Sequence, residues 1–95
     1  MAILSFKDQW CENIHNRRAP GKGFPADLVR VTQRKLAMLH AALVLDDLKS
    51  PPGHSLEALR DDRKGQHSIR VNNQFRLCFV WTEHGPSEVE FIDYH

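Results

Sequence analysis

A chain of 95 residues with 41% hydrophobic and 26% charged residues has the length of one domain, placed at residues 1–95, and the composition of a globular protein. The net charge of +1 excludes polyanion binding through overall charge, and the lack of a long apolar run excludes a membrane span. The two cysteines, Cys11 and Cys78, form no metal or redox motif, so we expect a reduced cytoplasmic protein with no metal and no cofactor.

The first half of the chain predicts a strand and two helices. The apolar run AILSF (2–6) predicts a short strand, and KDQWCENIHN (7–16) predicts a short helix with Trp10 and Ile14 on one face. RRAPGKGFP (17–25) combines Pro, Gly and basic residues, which predicts a flexible loop. Residues 26 to about 48 predict a long helix whose buried stripe holds Thr32, Leu36, Leu39 and Leu43.

The second half predicts a meander of three strands. SPPGHS (50–55) ends the helix, because proline cannot continue it, and LEALRDDRKG (56–65) predicts one helical turn and a loop. From QHSIRV onward the period is two, with Phe75, Leu77, Phe79 and Trp81 on one face of a strand and Arg76, Cys78 and Val80 on the other. We therefore expect an α+β fold, with an N-terminal strand and helices packed on one face of a small, mostly antiparallel sheet.

Basic side chains cluster before and within these strands. Residues 60–76 carry five Lys or Arg and two Asp, whereas residues 83–93 carry four acidic side chains. With the Phe75 series packed on the helices, Arg76 faces the open side of the sheet. This arrangement predicts a basic, phosphate-binding surface lined by Arg60, Arg63, Arg70 and Arg76. The alternative, that each arginine is a solvated or ion-paired surface residue, stays open.

The last predicted strand ends in Asp93, Tyr94 and His95. Residues two apart in a strand point the same way, and a carboxylate beside an imidazole suits proton transfer near neutral pH. Taken alone, such a pair is more often a frayed polar terminus than a catalytic couple. The sequence has no Gly-rich phosphate loop, no zinc-ligand spacing and no nucleophile elbow.

Four segments together resemble HigB-type toxins of the RelE/ParE superfamily: RKLAMLHAA, the turn SPPGHSLEALRDDRKGQHSIRVN, the strand QFRLCFVW and the terminal DYH. The resemblance covers Arg34 to His95. It implies a RelE-like fold and the toxin of a type II toxin–antitoxin pair, a ribosome-dependent endoribonuclease that cleaves mRNA. It also implies a HigA-type helix-turn-helix antitoxin as partner, contact with operator DNA only through that antitoxin, and no membrane.

The resemblance also implies site residues. The family's terminal Asp-Tyr-His matches Asp93, Tyr94 and His95, its strand arginine matches Arg76, and a basic residue matches Arg60. Some members carry a catalytic histidine where this chain has Glu57, which becomes the candidate proton acceptor; His54 lies three residues earlier. The loop cations, expected to contact ribosomal RNA phosphates or else to be merely solvated, are Arg17, Arg18 and Lys22.

Two other functions stay open at this point. A non-cleaving RNA-binding or ribosome-binding regulator would use the same basic face without needing the terminal residues for chemistry. A ParE-like gyrase inhibitor would share the fold and block supercoiling instead.

Overall fold

The computed structural model describes residues 2–93, which form two α-helices and a four-stranded antiparallel sheet. The helices are α1 (Gln9–His15) and α2 (Val29–Ala41). The strands lie in the order β1 (Glu57–Ala58), β2 (Gln66–Arg70), β3 (Phe75–Thr82) and β4 (Gly85–Asp93). The expected α+β fold and the β2–β3–β4 meander are confirmed. Within residues 2–93, no helix is long and apolar enough to cross a membrane.

The N-terminal segment runs parallel to β4 and joins it through a single bridge, Phe6 to Val89. Leu4 N–H donates to the Pro86 carbonyl at 2.8 Å, and Lys7 N–H donates to the Val89 carbonyl at 2.9 Å. Next to this bridge the β3–β4 register shifts, and Glu88 adopts a left-handed φ of 51°. The predicted first strand is therefore an extended segment attached at a bulge of β4.

Helix α1 is fastened to the sheet by Asp8. Its Oδ1 accepts from the Cys11 N–H at 2.8 Å and caps the helix, while its Oδ2 accepts from the Phe91 N–H of β4 at 2.7 Å. Trp10 and Ile14 both turn toward the core, as their spacing predicted. One carboxylate thus joins the first helix to the last strand.

Helix α2 is shorter than the sequence predicted. Thr32, Leu36 and Leu39 are fully buried, but Leu43 is 67% exposed because the chain leaves the helix at Ala42. Asp47 accepts from the N–H groups of Leu43 and Val44 at 2.9 and 3.2 Å, and these bonds hold the pKa of its carboxyl below the usual range. This side-chain cap starts a separate 3-10 segment, Leu45–Lys49, so the prediction of one helix to Leu48 was wrong.

The segment LEAL contains the short strand β1, where the sequence predicted a helical turn. Glu57 and Ala58 pair with Ser68 and His67 of β2, and the following Leu59 is buried. The remaining 3-10 segments are Ala26–Leu28, Pro52–His54 and Asp61–Arg63. Pairing with β2 supplies the backbone hydrogen bonds that a lone helical turn would leave unmade.

The core lies between α2 and one face of the sheet. Leu36 and Leu39 of α2 share a hydrophobic cluster with Leu77, Phe79 and Phe91 of the strands. Phe75 stacks on Phe91 with ring centroids 4.6 Å apart. The alternation predicted for β3 is confirmed, because Arg76 and Cys78 belong to the opposite face.

Candidate nucleic-acid interface

A row of four side chains crosses the sheet face opposite the helices. Register pairs Glu57 with Ser68, Ser68 with Cys78, and Cys78 with Glu90, and directly paired residues project from the same face. Ser68 and Cys78 have no exposed surface, although neither belongs to the hydrophobic cluster. Burial raises the pKa of the Cys78 thiol to about 11, so it is not a nucleophile at neutral pH.

Arg63 covers part of this row. Its Nη1 lies 2.6 Å from Glu90 Oε1 and 3.2 Å from Gln66 Oε1, so the Asp61–Arg63 segment is tied across the sheet to β4. The side chains of Arg63 and Glu90 are 35% and 14% exposed. Arg63, predicted to contact RNA, thus already has an anionic partner in this structure.

Arg70 and Arg76 lie directly opposite each other on β2 and β3. Like charges at directly opposed positions destabilise a sheet. The two guanidinium groups turn apart: Arg70 donates to the Asn72 carbonyl and to Asn73 Oδ1 at the turn. Arg76 turns the other way, toward Ser68. A bound polyanion would relieve the repulsion that this pairing creates.

Arg76 is held by oxygens from two segments. Its Nε donates to Ser68 Oγ at 2.7 Å, and its Nη2 donates to the carbonyls of Ser55 and Ser68. Ser55 has a left-handed φ of 45°, which is uncommon for a non-glycine residue. The Arg76 side chain is partly exposed, so the guanidinium is oriented by these contacts without being enclosed.

Beside β1 lies an open depression of about 390 Å³, which adjoins this row through Glu57. It is lined by Glu57, Ala58, Leu59, Arg60 and Asp61. Both charged candidates in it, Glu57 and Arg60, are exposed. Glu57, the candidate proton acceptor, pairs with Ser68 on the neighbouring strand. Ser68 in turn accepts a hydrogen bond from Arg76.

Asp93 projects from the other side of β4. It pairs with Phe75, so strand alternation places it on the helix side at the end of the sheet, whereas Arg76 pairs with Ile92. Its Oδ2 accepts from Gln74 Nε2 at 2.9 Å, and the residue is exposed. Tyr94 and His95 lie outside the described residues, so the expected Asp93–His95 pair stays a prediction.

His54 is fully buried and its ring lies against the Leu48 carbonyl. Its Nδ1 lies 3.1 Å from the Leu48 carbonyl, and burial, reinforced by the charge of Lys35, lowers its pKa. The histidine therefore anchors the segment that carries Ser55. Because the Ser55 carbonyl accepts a hydrogen bond from Arg76, His54 supports the position of Arg76 indirectly, through this segment.

The 17–25 loop is tied to α1 by two side chains. Trp10 Nε1 donates to the Lys22 carbonyl at 3.0 Å, and Asn13 Nδ2 donates to the Pro20 carbonyl at 3.1 Å. Phe24, at the end of the loop, is buried against Phe91 with ring centroids 4.5 Å apart. The loop expected to be flexible thus has fixed points, while its three candidate phosphate contacts are exposed: Arg17, Arg18 and Lys22.

Sequence reasoning missed the residues that orient the arginines, namely Ser55, Ser68 and Glu90. Neither the resemblance nor a catalytic motif singles them out: strand register places Ser68 and Glu90 on the open face, and the Ser55 carbonyl reaches Arg76 from the segment before β1. Period-two alternation would have placed Ser68 on the same face of β2 as Arg70, which is the one signal available. Within residues 2–93, no three His, Cys, Asp or Glu side chains come together as a metal site requires.

Comparison with known proteins identifies relatives over nearly the whole chain. Residues 4–95 match the family model described as RelE-like toxin of type II toxin–antitoxin system HigB. Toxin HigB-1 of Vibrio cholerae serotype O1 is 38% identical over 92 residues, 97% of this chain and 96% of that protein. An uncharacterized protein of Haemophilus influenzae is 31% identical over 90 residues, 95% of this chain and 88% of that one.

A solved structure supports the fold independently of sequence. The YoeB/ParE toxin from Agrobacterium tumefaciens superposes with a TM-score of 0.55 over the full length of both chains, at 17% identity. At that identity the likeness concerns the fold alone. The RelE-like fold expected from the sequence resemblance is confirmed.

Proposed function

Because this chain belongs to the HigB family of RelE-like toxins of type II toxin–antitoxin systems, we propose that it is an endoribonuclease that cleaves mRNA on the ribosome and so inhibits translation and growth. The observation that carries the proposal is the directly opposed pair Arg70 and Arg76 on the sheet face that the helices leave open. Two cationic residues at directly opposed strand positions repel each other when alone, and a bound phosphodiester would compensate that repulsion.

The proposed reaction is attack of an RNA 2′-hydroxyl oxygen on the adjacent phosphorus. The new P–O2′ bond forms, the P–O5′ bond breaks, one proton leaves the 2′-oxygen and one is delivered to the 5′-oxygen. Arg76 stabilises the pentavalent anion through charge-assisted hydrogen bonds, assisted by Arg60. We assign the acid and base roles to Asp93 and His95, with Asp93, which projects from the face opposite Arg76, acting around the end of the sheet. Glu57, which projects from the same face as Arg76, is a further candidate proton acceptor.

Binding of the RNA is assigned to the surrounding side chains. Tyr94 stacks on an unpaired base, as aromatic side chains do with single-stranded RNA. The proposed phosphate contacts are Arg63, Arg70, Arg17, Arg18 and Lys22, and the chemistry requires no metal or cofactor. Arg63 contributes after exchanging part of its contact with Glu90 for a phosphate.

A toxin of a type II system has an antitoxin partner. We propose that this antitoxin is a HigA-type helix-turn-helix protein, and that the toxin contacts operator DNA only through it. The toxin itself would act in the cytoplasm on ribosome-bound mRNA. Co-purification of this chain with the product of an adjacent helix-turn-helix gene is the direct check.

Cleavage of a defined mRNA by purified ribosomes plus this protein tests the proposed activity. We expect wild-type protein to cut the mRNA only when ribosomes are present, and Arg76→Ala and His95→Ala variants to bind ribosomes normally but to cut far more slowly, with a residual rate that is still measurable. Arg34→Ala, on the exposed side of α2, is the matched control and should cut normally. Ribosome binding without any cleavage by the wild type would identify a non-cleaving regulator, and inhibition of gyrase supercoiling would identify a ParE-like toxin.

A further inference from the structure

The Arg76 side chain does not extend straight out from its strand. Its directly opposed neighbour is Arg70, yet its Nε bonds to Ser68, which lies two residues earlier on β2. This diagonal contact, at 2.7 Å, draws the guanidinium across β2 toward β1 and away from the second positive charge. The direction of Arg76 is therefore set by a side chain as well as by its strand position.

Ser68 is suited to fix that direction. It has no exposed surface, so its hydroxyl is held inside the sheet and cannot swing into solvent. It offers Arg76 two oxygens: Oγ at 2.7 Å from Nε, and its own carbonyl at 3.3 Å from Nη2. The Ser55 carbonyl receives Nη2 from a different segment. Contacts on Nε and Nη2 together define the plane of a rigid guanidinium group.

We infer that Ser68 is a positioning residue, whose buried hydroxyl holds the Arg76 guanidinium in the orientation that stabilises the phosphorane transition state. This rests on the proposed function. The hydroxyl does not touch RNA; it acts only through Arg76. Because displacement of a catalytic group by about 1 Å can lower a rate by about 100-fold, losing the hydroxyl reduces the rate of cleavage far more than ribosome binding.

Two substitutions separate positioning from packing. Ser68→Ala removes the acceptor and leaves a small void, whereas Ser68→Cys fills the volume but offers a weak acceptor. A positioning hydroxyl is lost in both, so both variants should cleave about 10- to 100-fold more slowly, with the KM for the ribosome–mRNA complex within about twofold of wild type. If Ser68 served only to fill space, Ser68→Cys would restore normal cleavage. Dithiothreitol is included throughout, because the new thiol lies directly across from Cys78.

A double variant shows whether the hydroxyl acts through the arginine. Adding Ser68→Ala to Arg76→Ala should produce no further loss of cleavage, since no guanidinium is left to orient. Losses that multiply would mean that Ser68 acts elsewhere and would overturn the inference. Ser87→Ala, which removes a hydroxyl facing the Val80 carbonyl of the same sheet, is the matched control and should cleave normally.

Thermal melting of each variant distinguishes slow chemistry from lost folding. Normal cleavage by Ser68→Ala, or recovery in Ser68→Cys, would overturn the positioning role while leaving the proposed function intact. Absence of ribosome-dependent cleavage by the wild-type protein would instead overturn the proposed function, and the positioning role with it.

Discussion

Both faces of the sheet carry fully buried residues, but the side chains around those residues differ in polarity between the two faces. Toward the helices, Leu77 and Phe79 are fully buried in a continuous apolar cluster. On the other face, Ser68 and Cys78 are equally buried, yet their neighbours there include Arg63 and Arg76. Buried apolar contacts stabilise through the hydrophobic effect and close packing, whereas partly exposed charge pairs add little to stability. The helix-covered face therefore contributes mainly to folding, and we assign the proposed RNA chemistry to the polar face.

The largest effect is expected on the helix-covered face. Phe79→Ala should lower the free energy of unfolding by about 3–5 kcal/mol, since it leaves a cavity in the core. Urea unfolding followed by circular dichroism measures this loss. Val80→Ala, at the next position of β3 and only partly buried, is the control and should cost about 1 kcal/mol. Equal losses would contradict the division of roles between the faces.

Arg76→Ala should show the opposite behaviour on the polar face. We expect the barrier to mRNA cleavage to rise by about 2–4 kcal/mol through lost transition-state contacts, while the melting temperature stays close to wild type. Growth after induced expression and cleavage on purified ribosomes are the two measurements. Growth arrest by this variant at wild-type expression would remove Arg76 from the mechanism.

Breaking the Arg63–Glu90 pair should have an intermediate effect. Arg63→Met leaves Glu90, which is 14% exposed, without its 2.6 Å partner and should destabilise the protein by about 1–2 kcal/mol. Adding Glu90→Gln should recover most of that loss. Equal stability of Arg63→Met and the wild-type protein would show that the Arg63–Glu90 pair contributes nothing to folding.

The free energy of unfolding should fall at acid pH because of a buried histidine. Burial lowers the pKa of His54 below its usual 6.5, so the unfolded state binds more protons between that lowered value and 6.5. Stability is therefore complete above pH 6.5 and falls as the pH drops, by at most about 1.4 kcal/mol per pH unit for one group. His15, whose pKa is also lowered, adds to the trend. His54→Gln should flatten the pH profile of the free energy of unfolding, and a profile as steep as that of the wild type would show that another group causes the acid sensitivity.

The smallest effect concerns the exposed cations of the 17–25 loop. Replacing Arg17, Arg18 and Lys22 with Glu should weaken ribosome binding and reduce the log–log slope of its salt dependence by about 0.7 to 0.9 per lost phosphate contact. Lys49→Glu, at an exposed site that already faces Asp46, is the control. Identical binding of both variants at all salt concentrations would show that the loop is only solvated.

Local sequence patterns were sufficient for much of this protein. The alternation from Phe75 to Trp81 predicted β3 and its two faces, and the spacing of Thr32, Leu36 and Leu39 predicted the buried side of α2. The quoted segments were sufficient to indicate the family. These features depend on residues close together in the chain, whose periodicity reflects which side is buried.

Only the tertiary structure decided where those elements end and how the candidate site is arranged. Pairing with β2 made a strand of Glu57 and Ala58, where the local sequence predicted a helical turn. The direction of Arg76 came from Ser68, eight residues away in the chain, and from Ser55, 21 residues away. Each of these outcomes depends on a hydrogen-bond partner that another segment brings into range. Such a partner is chosen by chain packing and strand register, which local periodicity does not encode.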